Sequence, residues 1–109
     1  IVFDRIRPDG SHDPLGVKLA REQLATALDV AGRAIEGRTW AAGEAFSMAD
    51  CAAAPALHYA DKVQPFGDSH PALTAYLRRL EARPSFAAVL KAAEPYAHMF
   101  PQEQAVEPA

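Results

Sequence analysis

Strand signal is what this sequence most lacks. No run across its 109 residues alternates β-branched with polar side chains, which leaves a helical chain. Cysteine is nearly absent too. The single Cys51 excludes an internal disulfide and fits a reducing compartment, so the expected location is cytoplasmic. No stretch approaches the roughly 20 consecutive apolar residues of a bilayer span, and no signal peptide is visible, so no membrane partner is expected. Nor is there an excess of positive charge. A formal net charge of −3 argues against a nucleic-acid partner, which wants a basic surface. Gly-rich phosphate loops, a Gly-x-Ser-x-Gly elbow and a His-Glu-x-x-His motif are all missing.

What remains is apolar and periodic. Half of the residues are hydrophobic, enough for a single core in a domain of this size. Ile1 to Arg7 is apolar at Val2, Phe3 and Ile6 with charges between, like the last turns of an amphipathic helix. With no N-cap ahead of it, this stretch suggests a cut from a longer chain. Turn chemistry from Arg7 to His12 ends it. Asp13-Pro14 then opens a helix with Asp as N-cap and Pro at the first helical position. Val17, Ala20, Leu24, Leu28, Ala31 and Ile35 recur at steps of three and four, predicting about 23 residues and roughly 35 Å of helix. Asp29 and Arg33 form a favourable i,i+4 pair on its polar side, and Gly37 is a left-handed C-cap.

The chain's centre of gravity is Phe46-Ser47-Met48-Ala49-Asp50 and the alanine-rich run after it. Ser47 is a good N-cap, and Asp50 three residues on can reach back to the Ser47 N–H, completing a capping box. Phe46 is placed to pack on Cys51 as a hydrophobic staple. Met48 to Val63 is then expected as a central helix buried on nearly every side. Pro55 within it removes a hydrogen bond to the Cys51 carbonyl at about 3 kcal/mol, so tertiary packing must hold the helix, bent near Cys51 to Pro55. Trp40, in the loop before it, is expected to close the end of the core. Pro71 opens the next helix, with Leu73, Tyr76, Leu77 and Leu80 on one face. Arg83-Pro84 breaks it and starts a last helix with Phe86, Val89, Leu90 and Ala93 inward, closed by Pro95. Tyr96 to Pro101 is apolar enough to dock, and residues 102–109 read as a flexible tail after a 1–101 domain.

None of these residues composes an active site by itself. His58 has no second ligand at metal spacing and reads as a polar group at the edge of a helical core. Cys51 lies in a helix's first turns, where a thiolate is favoured, but as a staple partner it is expected to be buried and inert. Arg78, Arg79 and Arg83 follow helical spacing with Glu81 between and read as a solvated face. Asp50 is expected to be structural, because capping already accounts for it. No metal site and no catalytic residue are expected.

The order Trp40-Ala41-Ala42-Gly43-Glu44-Ala45-Phe46-Ser47-Met48-Ala49-Asp50 resembles the Gly-x-x-Phe-Ser/Thr-x-Ala-Asp helix start of cytosolic glutathione S-transferases. His70-Pro71-Ala72-Leu73-Thr74-Ala75-Tyr76-Leu77, followed by Arg79-Leu80-Glu81-Ala82-Arg83-Pro84, resembles the next segment of bacterial members. The likeness covers most of residues 1 to 100 and implies the all-α, C-terminal helical bundle of that family around a central buried helix. It also implies the parent's function: glutathione as co-substrate, a hydrophobic small-molecule electrophile as its partner, detoxification, and a homodimer. The thioredoxin-like domain that binds glutathione and activates its thiolate has no counterpart here, so the chain alone is expected to be inactive. By position in the family, Phe3, Arg7, Tyr96 and Phe100 are the expected electrophile-binding residues. Transferase-like helical domains also serve as non-enzymatic docking modules in translation factors and synthetases, and that is the alternative reading.

Overall fold

A computed structural model of the chain describes residues 1–103. Among them the architecture is all-helical: α1 (Pro14–Ile35), α2 (Met48–Val63), α3 (Pro71–Ala82) and α4 (Pro84–Ala93), with single 3₁₀ stretches at Phe3–Ile6 and Glu94–Met99 and no strand. Most of the expected tail lies outside the described residues.

The starts of the helices are written in local chemistry. Asp13 accepts the Gly16 N–H at 2.9 Å, and Pro14 takes the first helical position. Pro71 and Pro84 do the same for α3 and α4, where a missing N–H leaves no bond unmade. Gly37 sits at φ 72°, the left-handed conformation that ends α1. Two elements depart from expectation. The first seven residues make one tight 3₁₀ turn rather than the end of an α-helix. Pro95 is the second residue of the second 3₁₀ stretch instead of simply closing α4, because its fixed φ suits the first turn of a new helix.

The larger correction concerns which helix is central. α3 packs against α1, α2 and α4, and its Leu73, Tyr76, Leu77 and Leu80 are among the most completely buried side chains. Leu28 and Ile35 of α1, Ala54 of α2 and Phe66 from the connector complete the core. α2 is buried along one stripe only, through Asp50 and Ala54, with Ala53 and Leu57 half-buried beside it. Its opposite face, through Met48, Ala52, Pro55 and Tyr59, is exposed, Met48 to 85%. Alanine makes a helix apolar without giving it the bulk that neighbours close around, so composition overstated its burial. Cys51, one residue round from the buried stripe, is exposed, against the burial expected of a staple partner. Phe46 turns instead to Trp40, edge-on at 5.3 Å, and the Arg83 guanidinium stacks over its ring at 3.5 Å.

Candidate functional site

Asp50 is the most heavily engaged polar group in the fold and is 0% exposed. Its Oδ2 accepts the Ser47 N–H at 2.9 Å, and Ser47 Oγ accepts the Ala49 N–H at 3.3 Å, so the capping box is formed. Its Oδ1 takes two further donors, the Ala41 N–H at 2.8 Å and the Tyr76 hydroxyl at 2.5 Å. Burial by itself pushes the Asp50 pKa up. The donors from Ala41, Tyr76 and Ser47 together outweigh it and hold the carboxyl below its ordinary range. Tyr76 responds in the opposite sense: burial first, then the Asp50 hydrogen bond and charge, push its phenol up, with Arg79 opposing. With three donors on its two oxygens and no exposed surface, this group ties the loop, α2 and α3 together.

The arginines expected on a solvated face divide. Arg78 is exposed and pairs with Glu81 at 2.9 Å. Arg79 donates to the carbonyls of Thr39 and Arg38 at 3.1 and 3.3 Å, and Arg83 lies between the ring of Phe46 and that of Trp40. Residues 79 and 83 share one side of the chain and clamp the loop before α2, whose free carbonyls and aromatic faces want a cation. Trp40 closes that end of the core as expected. His58 is half-buried with its ring edge-on to Phe86 at 6.0 Å, also as expected.

The candidate binding surface is lined by none of these residues. An apolar groove of about 370 Å³ runs between Ala20 and Leu24 of α1 and Ala56, Tyr59 and Val63 of α2, with Val2 and Phe100 at its ends. That volume falls within the range of small-molecule sites, roughly 300–1,000 Å³. Phe100 stacks on Tyr59 with ring centroids 5.2 Å apart. The edges are pinned by polar bonds: Arg21 donates to the Val63 carbonyl at 3.0 Å, and Arg5 to that of Pro101 at 3.0 Å. Of the four expected substrate contacts, Phe100 lines this groove and the other three do not. Phe3 is 78% exposed on the first 3₁₀ turn, Tyr96 is 62% exposed on the second, and Arg7 points to solvent in an ion pair with Asp4 at 3.1 Å.

The sequence model described as glutathione S-transferase, C-terminal domain, matches residues 8–79. The chain belongs to that family. Comparison with curated proteins gives no match, and neither does comparison with solved structures. In this transferase-family domain the matched span carries α1, α2, the Asp50 hub and most of α3, and with them every core residue but Leu80.

Sequence reasoning missed two contacts that organise the transferase-family domain, both between residues far apart in the chain. One is Tyr76 on Asp50. The other joins α1 to the start of α3: His70 Nε2 lies 2.6 Å from Asp29 Oδ1, and its Nδ1 lies 2.7 Å from Ser69 Oγ. Asp29 therefore pairs with His70 rather than with Arg33, since the imidazole sits closer than a turn-distant guanidinium that must give up solvent. The adjacent Ser-His pair was the one local signal of this cluster.

Proposed function

We propose that this domain supplies the hydrophobic-electrophile side of a glutathione transferase site. The observation that carries the proposal is the groove itself: a shallow, open apolar surface of about 370 Å³, with the Tyr59–Phe100 ring stack as a flat face for an aromatic substrate. Its lining offers one phenol and no charged side chain. That does not fit glutathione, a tripeptide with two carboxylates and an ammonium, so the thiol belongs to a thioredoxin-like domain outside this sequence. In this reading the chain's residues hold and orient the electrophile, while thiolate activation lies elsewhere. Phe3 and Tyr96 stand on the two 3₁₀ turns and Arg7 just after the first, outside the groove lining, so Phe100 is the one of the four that this reading keeps as a direct contact. The exposed apolar stripe of α2, with Leu15, Leu19 and Val30 of α1, is assigned to the partner domain and to the second subunit of a homodimer.

Titration of the chain with 8-anilinonaphthalene-1-sulfonate tests the groove. Phe100→Ala removes half of the ring stack and is expected to weaken binding about two- to tenfold, since an aromatic pair contributes about 0.5–1.5 kcal/mol beyond its buried area. Dye affinity unchanged by Phe100→Ala and by Tyr59→Ala would place the apolar site elsewhere.

A further inference from the structure

The transferase reading leaves unused a nucleophile, a base and an acid in one hydrogen-bonded line. Ser69, His70 and Asp29 line a cavity of about 220 Å³ between the C-terminal half of α1 and the start of α3. His70 is held from both sides, by Ser69 Oγ at 2.7 Å and by Asp29 Oδ1 at 2.6 Å, and Ser69 Oγ also lies 3.3 Å from the Phe66 carbonyl oxygen. Both short contacts to the ring require a proton. With neutral imidazole, one arrangement satisfies them: Nε2–H donates to Asp29, and the Ser69 hydroxyl donates to the bare Nδ1. With imidazolium, both ring nitrogens donate, and the Ser69 proton turns to the Phe66 carbonyl. The cluster therefore has a complete hydrogen-bond set for each protonation state of the ring, as a general base needs.

The rest of the cavity suits an acyl group. α3 carries no side-chain cap, and the Ala72 and Leu73 N–H groups at its first turn have no hydrogen-bond partner among the described residues. Both residues line the cavity, with Arg33 and Glu36 on the opposite side. Free N–H groups at a helix start are donors for an oxyanion. The volume is below that of drug-sized sites, which limits the acyl chain to a short one.

We infer that Ser69, with His70 as general base and Asp29 as positioning residue, forms an acyl-accepting site for small activated esters. Ser69 Oγ bonds to the ester carbonyl carbon as its proton passes to His70 Nδ1. The tetrahedral oxyanion then expels the alcohol, which takes that proton as the C–O bond breaks. Water attacks the acyl-serine by the same route, so ester and water become acid and alcohol, with the enzyme restored.

The test uses the whole 109-residue chain with an alkyl fluorophosphonate, whose phosphorus bonds to a reactive serine oxygen with loss of fluoride, and with p-nitrophenyl acetate. Peptide mass mapping is expected to place the stable adduct on Ser69, and Ser69→Ala to abolish it. His70→Gln and Asp29→Asn are each expected to slow labelling and nitrophenol release by at least about tenfold. Because Asp29 is exposed, Asp29→Asn keeps the fold and remains informative if His70→Gln melts early. An unmodified Ser69 at millimolar probe, or labelling of equal rate in wild type and Asp29→Asn, overturns the inference. Neither outcome bears on the groove, which lies on the other face of α1.

Discussion

Asp50 shows how much one buried charge can be asked to do. Its three protein donors come from the loop, the helix cap and α3; without it the Tyr76 hydroxyl would be left buried and unpaired, and the Ala41 and Ser47 N–H groups partly so. Removing an acceptor from buried donors costs about 1–3 kcal/mol each. Asp50→Ala is therefore expected to destabilise by about 3 kcal/mol or more, and at roughly 4–8 °C per kcal/mol the thermal melt shows it plainly. The same residue sets part of the acid behaviour. Its folded pKa is depressed, so its contribution is fully present above the unfolded value of about 3.9 and is lost as pH falls through the lower folded value. Asp4 acts in the same direction, held down first by the Asp13 N–H and then by His12 and Arg7. Urea midpoints measured from pH 5 downward are expected to fall for wild type and to fall less steeply for Asp50→Asn. Equal slopes would remove Asp50 from the account.

At the scale of elements, what was legible in the sequence is what the chain decides locally. Asp13-Pro14, Ser47 to Asp50, His70-Pro71 and Arg83-Pro84 each mark a helix start within a residue, because caps and prolines act on neighbours a few bonds away. Which face a helix buries depends on partners elsewhere. Periodicity placed Leu73, Tyr76, Leu77 and Leu80 inward correctly, since bulky side chains at steps of three and four leave one choice. The alanines of α2 leave many, and its Asp50 stripe is selected by Tyr76, 26 positions away. The groove was half legible: Phe100 docks as expected, whereas Tyr59, its stacking partner, carried no local mark. Pro55 makes a separate point about α2. The helix runs unbroken through it, and its side chain faces solvent. Pro55→Ala would return an N–H to the Cys51 carbonyl without disturbing the core. A gain in stability of up to about 3 kcal/mol is expected by thermal or urea denaturation, and no gain would mean that α2 needs the proline for its line.

At the scale of the whole molecule, the distribution of surface matters more than its composition. One side carries the tight cluster of Arg79, Arg83, Trp40 and Phe46 around the Asp50 hub. The other carries the groove and the exposed apolar faces of α1 and α2. No helix among the described residues is long and apolar enough to cross a membrane. Under the proposed function those faces need a second domain before any chemistry occurs. The chain by itself is expected to give no conjugation of glutathione to 1-chloro-2,4-dinitrobenzene above the uncatalysed rate. Fusion behind a thioredoxin-like domain of the same family should restore conjugation. Turnover by the isolated chain would show that thiolate activation lies within it, contrary to the proposal.

The Asp50 carboxylate can also be viewed as a closure of the chain on itself. Through Oδ1 alone it closes rings spanning 9 positions back to Ala41 and 26 forward to Tyr76. A cross-link between such positions takes its effect largely from the unfolded or opened chain, whose loops it shortens. Here the link is electrostatic and is made only when the helix it caps has formed. The two rings therefore close together or not at all, and a helix with few bulky side chains is drawn into a cooperative unit through one oxygen as well as through its packing.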